Sequence, residues 1–116
     1  MSRAPRLAVA LLALLHASGP ALAQSSSTES ALRTVIPQLQ RGEPDYNNME
    51  AMLRAAVKQQ LPTITPRLKA LGKIQSVAHE GVQNGADVYG VVFEGGATVW
   101  MIALSPNGKI STLYFQ

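Results

Sequence analysis

The chain has 116 residues and no cysteine, with 10 Lys and Arg against 7 Asp and Glu. That length allows one small core, and the missing thiols exclude a disulfide scaffold and any thiolate chemistry.

The first 23 residues read as a secretory leader. Arg3 and Arg6 make a positive start, and Leu7 to Leu15 is an uninterrupted apolar run. His16 to Pro20 breaks the run, and Ala21-Leu22-Ala23 offers a small-x-small cleavage site. The run is far shorter than the roughly 20 apolar residues that span a bilayer. Cleavage after Ala23 removes 23 of the 116 residues and leaves 93. Arg3 and Arg6 leave too, so 8 basic residues face 7 acidic ones and the net charge is +1. The basic residues alternate with acids, which argues against a nucleic-acid footprint. No Cys follows the cleavage site to carry lipid, and no second apolar segment follows to hold a membrane. The expectation is soluble export, to a periplasm or the outside.

Residues 24–28 are polar and read as a flexible start to a single domain over 29–116. From Glu29, Leu32, Val35, Ile36 and Leu39 recur at helical spacing. Pro37 lies inside that pattern and predicts a kink or early end, and Gly42-Glu43-Pro44-Asp45 a turn. A second helix is expected from Asn47 or Asn48, with Asn47 and Glu50 as a capping box. Met49, Met52, Leu53, Ala56, Val57 and Leu61 mark its apolar stripe. Pro62 predicts a bend, and Thr65-Pro66 opens a further segment ending at Gly72.

After Gly72 the period changes to two. Strands are expected over Lys73–Val82, Asp87–Glu94, Thr98–Leu104 and Lys109–Gln116, with turns at Asn84-Gly85, Gly95-Gly96 and Ser105 to Gly108. The fold class is α+β, with N-terminal helices packed on a four-stranded antiparallel meander. Tyr89, Phe93, Trp100, Ile102 and Leu113 fall on the apolar side of that sheet. They line either a filled core or a pocket beneath the helices.

The order of elements and several stretches resemble an accessory domain of secreted bacterial proteins. These are Leu32 to Gln40, Gly42-x-Pro44-Asp45-Tyr46, Gln59 to Pro62 and Leu68 to Gly72. They continue with Gly85 to Tyr89, Val91-x-Phe93-x-Gly95, Trp100-x-Ile102-x-Leu104 and Gly108-Lys109-Ile110-x-x-Leu113-x-Phe115. In that group the domain often follows a serine hydrolase of the β-lactamase or α/β-hydrolase kind. The resemblance implies a cystatin-like, nuclear-transport-factor-2-like cone. The chain carries no Ser-x-x-Lys and no Gly-x-Ser-x-Gly, so no hydrolase residue is carried over.

His79-Glu80 gives at most one histidine where zinc needs three or four convergent ligands, so no metal is expected and the pair reads as solvated strand. Cone-shaped isomerases use an Asp base with a Tyr oxyanion donor, and Asp45, Asp87, Tyr46, Tyr89 and Tyr114 supply those residue types. Asp45 and Asp87 lie where Asp ordinarily serves turns, and Tyr89 sits among core residues. Trp100, Met101, Met49 and Met52 read as core before ligand lining. The sequence therefore points to a non-catalytic exported binding or interaction domain, with no cofactor. A ligand-binding or isomerase-type protein is the alternative. The expected partners are a second copy, through an apolar last strand at the sheet edge, or an exported hydrolase.

Overall fold

The computed structural model describes residues 26–116. The leader and Gln24 lie outside the described residues. Helix α1 covers residues 26–41, and α2 covers Ala51–Leu71. Strands β1 (Ile74–Gln83), β2 (Ala86–Phe93), β3 (Gly96–Leu104) and β4 (Ile110–Phe115) form one antiparallel sheet in chain order. Both helices pack on one face of this open sheet, as the α+β reading expects.

Three local expectations give way to tertiary structure. Residues 26–28 are helical, and Thr28 is 1% exposed because its hydroxyl bonds to the sheet. Helix α1 continues past Pro37 to residue 41. Helix α2 runs through Pro62 and Pro66 without a break. The carbonyls that lose partners belong to Arg33, Lys58 and Pro62, all exposed residues at which solvent is free to take up the lost bond. Meanwhile Leu53, Val57, Leu61, Ile64, Leu68 and Leu71 pack as one stripe across both prolines. Packing of a continuous apolar face outweighs the local break.

The expected capping box does not form. Asp45 instead accepts from the Asn47 amide at 3.1 Å and caps a 3₁₀ turn, Tyr46–Asn48. Glu50 precedes α2 without a side-chain cap. The reason lies in the sheet. Met49 makes a parallel bridge to Ile110, and the Glu50 amide donates to the Ile110 carbonyl at 2.9 Å. These contacts hold 49 and 50 extended and delay the helix to Ala51.

Polar side chains tie the helices together. The Gln40 amide donates to the carbonyls of Leu68 and Gly72 at 2.8 and 2.7 Å, taking two orphan acceptors at the end of α2. Thr65 donates to the Leu39 carbonyl at 2.8 Å. The Asn84-Gly85 turn has φ of 51° and 81°, the double positive-φ signature of a tight hairpin. Gly95 lies against α2, where a Cβ would stand 3.2 Å from the Leu71 carbonyl oxygen.

The sheet's register decides which residues meet the helices. Tyr89, Val91, Phe93, Trp100, Ile102 and Ile110 face them and are buried. Three bulges adjust this alternation. Register shifts between Ile74 and Ser76, and between His79 and Gly81, place extra residues at Gln75 and Glu80 in β1. A third lies at Ser111, because Ala103 pairs with Thr112 while Leu104 pairs with Ile110. Each bulge exchanges the faces of the residues on one side of it.

Candidate functional site

Two regions bring together residues with recognisable chemistry. The first is a polar cluster buried where the start of α1 crosses the sheet. The second is a groove between α2 and β4.

The cluster is built by β2, β1 and α1. Alternation along β2 sends Asp87 and Tyr89 to the helix side, and neither meets a turn. Asp87 is 6% exposed and accepts from the Thr28 hydroxyl at 2.6 Å. The same Thr28 oxygen lies 2.8 Å from the Tyr89 hydroxyl. His79 joins because of the bulge at Glu80. Continuing the pairing of Val82 with Asp87 without a shift would set His79 opposite Gly90, facing the open side. The shift sets it opposite Tyr89 instead. Its Nε2 then lies 2.9 Å from Asp87 Oδ1, and its ring meets Tyr89 edge-on at 5.2 Å.

The structure thus corrects the reading of Asp87 as a turn residue, while His79 and Glu80 are both exposed, as a solvated strand pair would be, with His79 also bonded to Asp87. His79 and Glu80 do point to opposite faces, and the Glu80 carboxylate lies across Gly90 on the open face. Tyr89 is a core residue as expected, with its hydroxyl in the network. Asp45, Tyr46 and Tyr114 lie elsewhere. Asp45 caps the 3₁₀ turn, the Tyr46 ring carries the Lys58 ammonium at 5.0 Å, and Tyr114 is exposed on the other sheet face. Of the residue types suited to an isomerase, Asp87 and Tyr89 meet through the Thr28 hydroxyl, while Asp45, Tyr46 and Tyr114 lie apart from them. Sequence reasoning missed Thr28, which is 59 and 61 residues from its partners.

Burial pushes the Tyr89 phenol above its ordinary pKa of 10.0. The Thr28 hydrogen bond acts in the opposite direction, and the Asp87 and Glu29 carboxylates add to the rise. A raised folded-state pKa means the folded form holds its proton more tightly than the unfolded form. The corresponding stability is complete below pH 10 and is lost as pH rises through the folded value. Denaturant titrations from pH 9 upward should show a decline that Tyr89→Phe reduces. Parallel profiles for the two proteins would contradict the assignment.

The groove has a volume of about 310 Å³. Its apolar walls are Leu53, Val57 and Ile64 from α2 and Leu113 and Phe115 from β4. Gln60, Thr63 and Arg67 add polar groups along α2, and no acid among the described residues lines it. Phe115 stacks on Trp100 with centroids 4.4 Å apart and an interplanar angle of 15°. That pair closes the floor, and Trp100 beneath it has no exposed surface. The Arg67 guanidinium stands 5.5 Å from the Phe115 ring centroid at the mouth.

Of the five expected lining residues, Trp100 and Leu113 border this groove. Tyr89, Phe93 and Ile102 are buried in the core. Met49 is buried, whereas Met52 is 88% exposed. Among the described residues there is no group of three or more His, Cys, Asp or Glu side chains placed to hold a metal. No helix among them is long and apolar enough to cross a membrane. The chain matches no family model, no curated protein and no solved structure.

Proposed function

We propose that the chain is an exported, non-catalytic binding domain that works as a counterpart of the accessory domains of secreted serine hydrolases. One observation carries this reading. The groups with catalytic potential are bound to one another, with Thr28, Asp87 and Tyr89 buried and His79 at the margin, while the surface offers features suited to recognition. Thr28, Asp87, Tyr89 and His79 pin α1 to the sheet, a structural task that buried hydrogen-bonded networks perform well. The groove opens outward, with apolar walls and a cation at its mouth. The open sheet face adds exposed Val92, Val99 and Tyr114, a surface on which a second copy would also fit.

The ligand-binding alternative rests on the same groove, whose volume is at the lower end of small-molecule sites. The stacked Phe115 and Trp100 argue for a shallow seat over a deep pocket. A direct experiment uses the chain as bait in the exported fraction of its own host. Bait recovered from that fraction should begin at Gln24 by intact mass. Captured proteins are then labelled with a fluorophosphonate, which marks active serine hydrolases. A labelled band retained by the bait is the expected result. Bait that keeps Met1, or a capture without any labelled protein, contradicts the export or hydrolase-partner part of the reading.

A further inference from the structure

Among the described residues the outer edge of β4 is half covered, and the uncovered half opens into the groove. Val99 and Gln116 exchange both of their backbone hydrogen bonds, at 2.9 and 3.0 Å. Antiparallel ladders alternate, so Met101 with Tyr114 and Ala103 with Thr112 also face each other through their backbone groups. The backbone groups of Leu113 and Phe115 therefore point outward, away from β3. The Ser111 bulge carries the same alternation to Ile110, whose carbonyl must also point outward. It does, since it accepts the Glu50 amide. The chain then turns away into α2, and among the described residues cover over the edge ends at Ile110.

Four further observations bear on the remaining edge. Leu113 and Phe115 lie on one face of β4 and Tyr114 on the other, yet all three line the groove. The groove thus reaches around the strand's outer margin. β4 carries no charged side chain from Ile110 to Phe115, the kind of gatekeeper that ordinarily blunts an edge. β1, the opposite edge, is interrupted by two bulges. Finally, α2 contains Arg54, Lys58, Arg67 and Lys69 and no acid, and none of the four makes an ion pair among the described residues.

We propose that this edge binds an extended protein segment of a partner by strand addition, with an apolar side chain in the α2–β4 groove and an acidic side chain against Arg67. The inference rests on the binding-domain reading and names its surface. The added strand would lie about 4.8 Å outside β4 and bond to the free amides and carbonyls of Leu113 and Phe115. Alternate side chains would point toward Leu53 and Val57. The parallel bridge of Met49 to Ile110 shows that this edge already takes extended backbone. Charge selects the partner's chemistry. Two copies joined edge to edge through β4 would bring two acid-free, cationic α2 helices together, and an acidic segment meets no such repulsion.

The test pans a phage-displayed library of random twelve-residue peptides on the full chain. Enriched peptides should alternate apolar residues and carry Asp or Glu. Arg67→Glu should weaken their binding by about tenfold or more, because it sets like charges together. Arg67 is exposed and makes no side-chain hydrogen bond or ion pair among the described residues, so the variant should keep close to the wild-type melting curve. Bound peptide should also slow amide exchange at Leu113 and Phe115. No enrichment, or peptides indifferent to Arg67→Glu that leave those two amides fast, would overturn the proposal. Slowed exchange at Leu113 and Phe115 in the protein alone as its concentration rises would overturn it in favour of a second copy. A hydrolase captured equally by wild type and Arg67→Glu would sink the groove while sparing the binding-domain reading.

Discussion

Replacing Trp100 with alanine should destabilise the protein by ~3–5 kcal/mol, the usual cost of removing a buried large aromatic side chain. Trp100 has no exposed surface, sits opposite Tyr89 on β2 and Phe115 on β4, and stacks on the latter. Its indole N–H donates to the Thr98 hydroxyl at 2.6 Å, a bond lost in the same substitution. A domain of this size holds only ~5–15 kcal/mol in total. The melting temperature should therefore fall by more than about 10 °C. Trp100→Phe, which keeps a ring over Phe115, should recover a substantial part of the loss. A melting temperature near wild type for the alanine variant would mean that the core does not depend on this side chain.

Asp87→Ala should cost about 2–4 kcal/mol, since hydrogen bonds to a charged group contribute ~1.5–3 kcal/mol each. The carboxylate binds Thr28 through one oxygen and His79 through the other. Relief from burying the carboxylate offsets part of the loss, so the two bonds do not simply add. The damage should be local before it is global. Thr28 links the first turn of α1 to β2, and its partner on the sheet would be gone. Amide exchange should accelerate most over residues 26–32, with little change in β3 and β4. Uniform acceleration across the sheet would mean that Asp87 supports the whole core and does not serve α1 in particular.

The strands were legible because their apolar residues alternate and their turns carry glycine. All four begin and end within two residues of the expected limits, and the helix-facing side of β2 and β3 is the expected one. The weak alternation in β1 has a definite cause. Ile74, Val77 and His79 share a face only because Gln75 is bulged, and the spacing of three then two records that bulge. Ile110 and Leu113 carry the same sign in β4. These irregular spacings were visible in the chain, although period-two reasoning alone does not interpret them.

The candidate site was less legible, for physical reasons that particular residues make plain. Thr28 lies in a polar stretch whose composition says disorder, and its burial depends on partners some 60 residues away. His79 reaches Asp87 only after a one-residue slip reverses its face. The prolines in α2 signalled a break that the continuous Leu53–Leu71 packing overrides. Arg67 gave no signal at all, since its role depends on which side of α2 meets β4.

The most direct measurement is the affinity of the retained exported partner for three forms of the chain: wild type, Arg67→Glu and Tyr89→Phe. In the proposed binding mode, recognition falls on the α2–β4 groove and the Thr28–Asp87–Tyr89–His79 cluster has a structural task. Arg67→Glu should therefore weaken binding by about tenfold or more, equivalent to at least ~1.4 kcal/mol, while Tyr89→Phe stays within about twofold. Loss of binding in Tyr89→Phe with Arg67→Glu unaffected, both proteins being folded, would contradict the account and move the functional surface to the buried cluster.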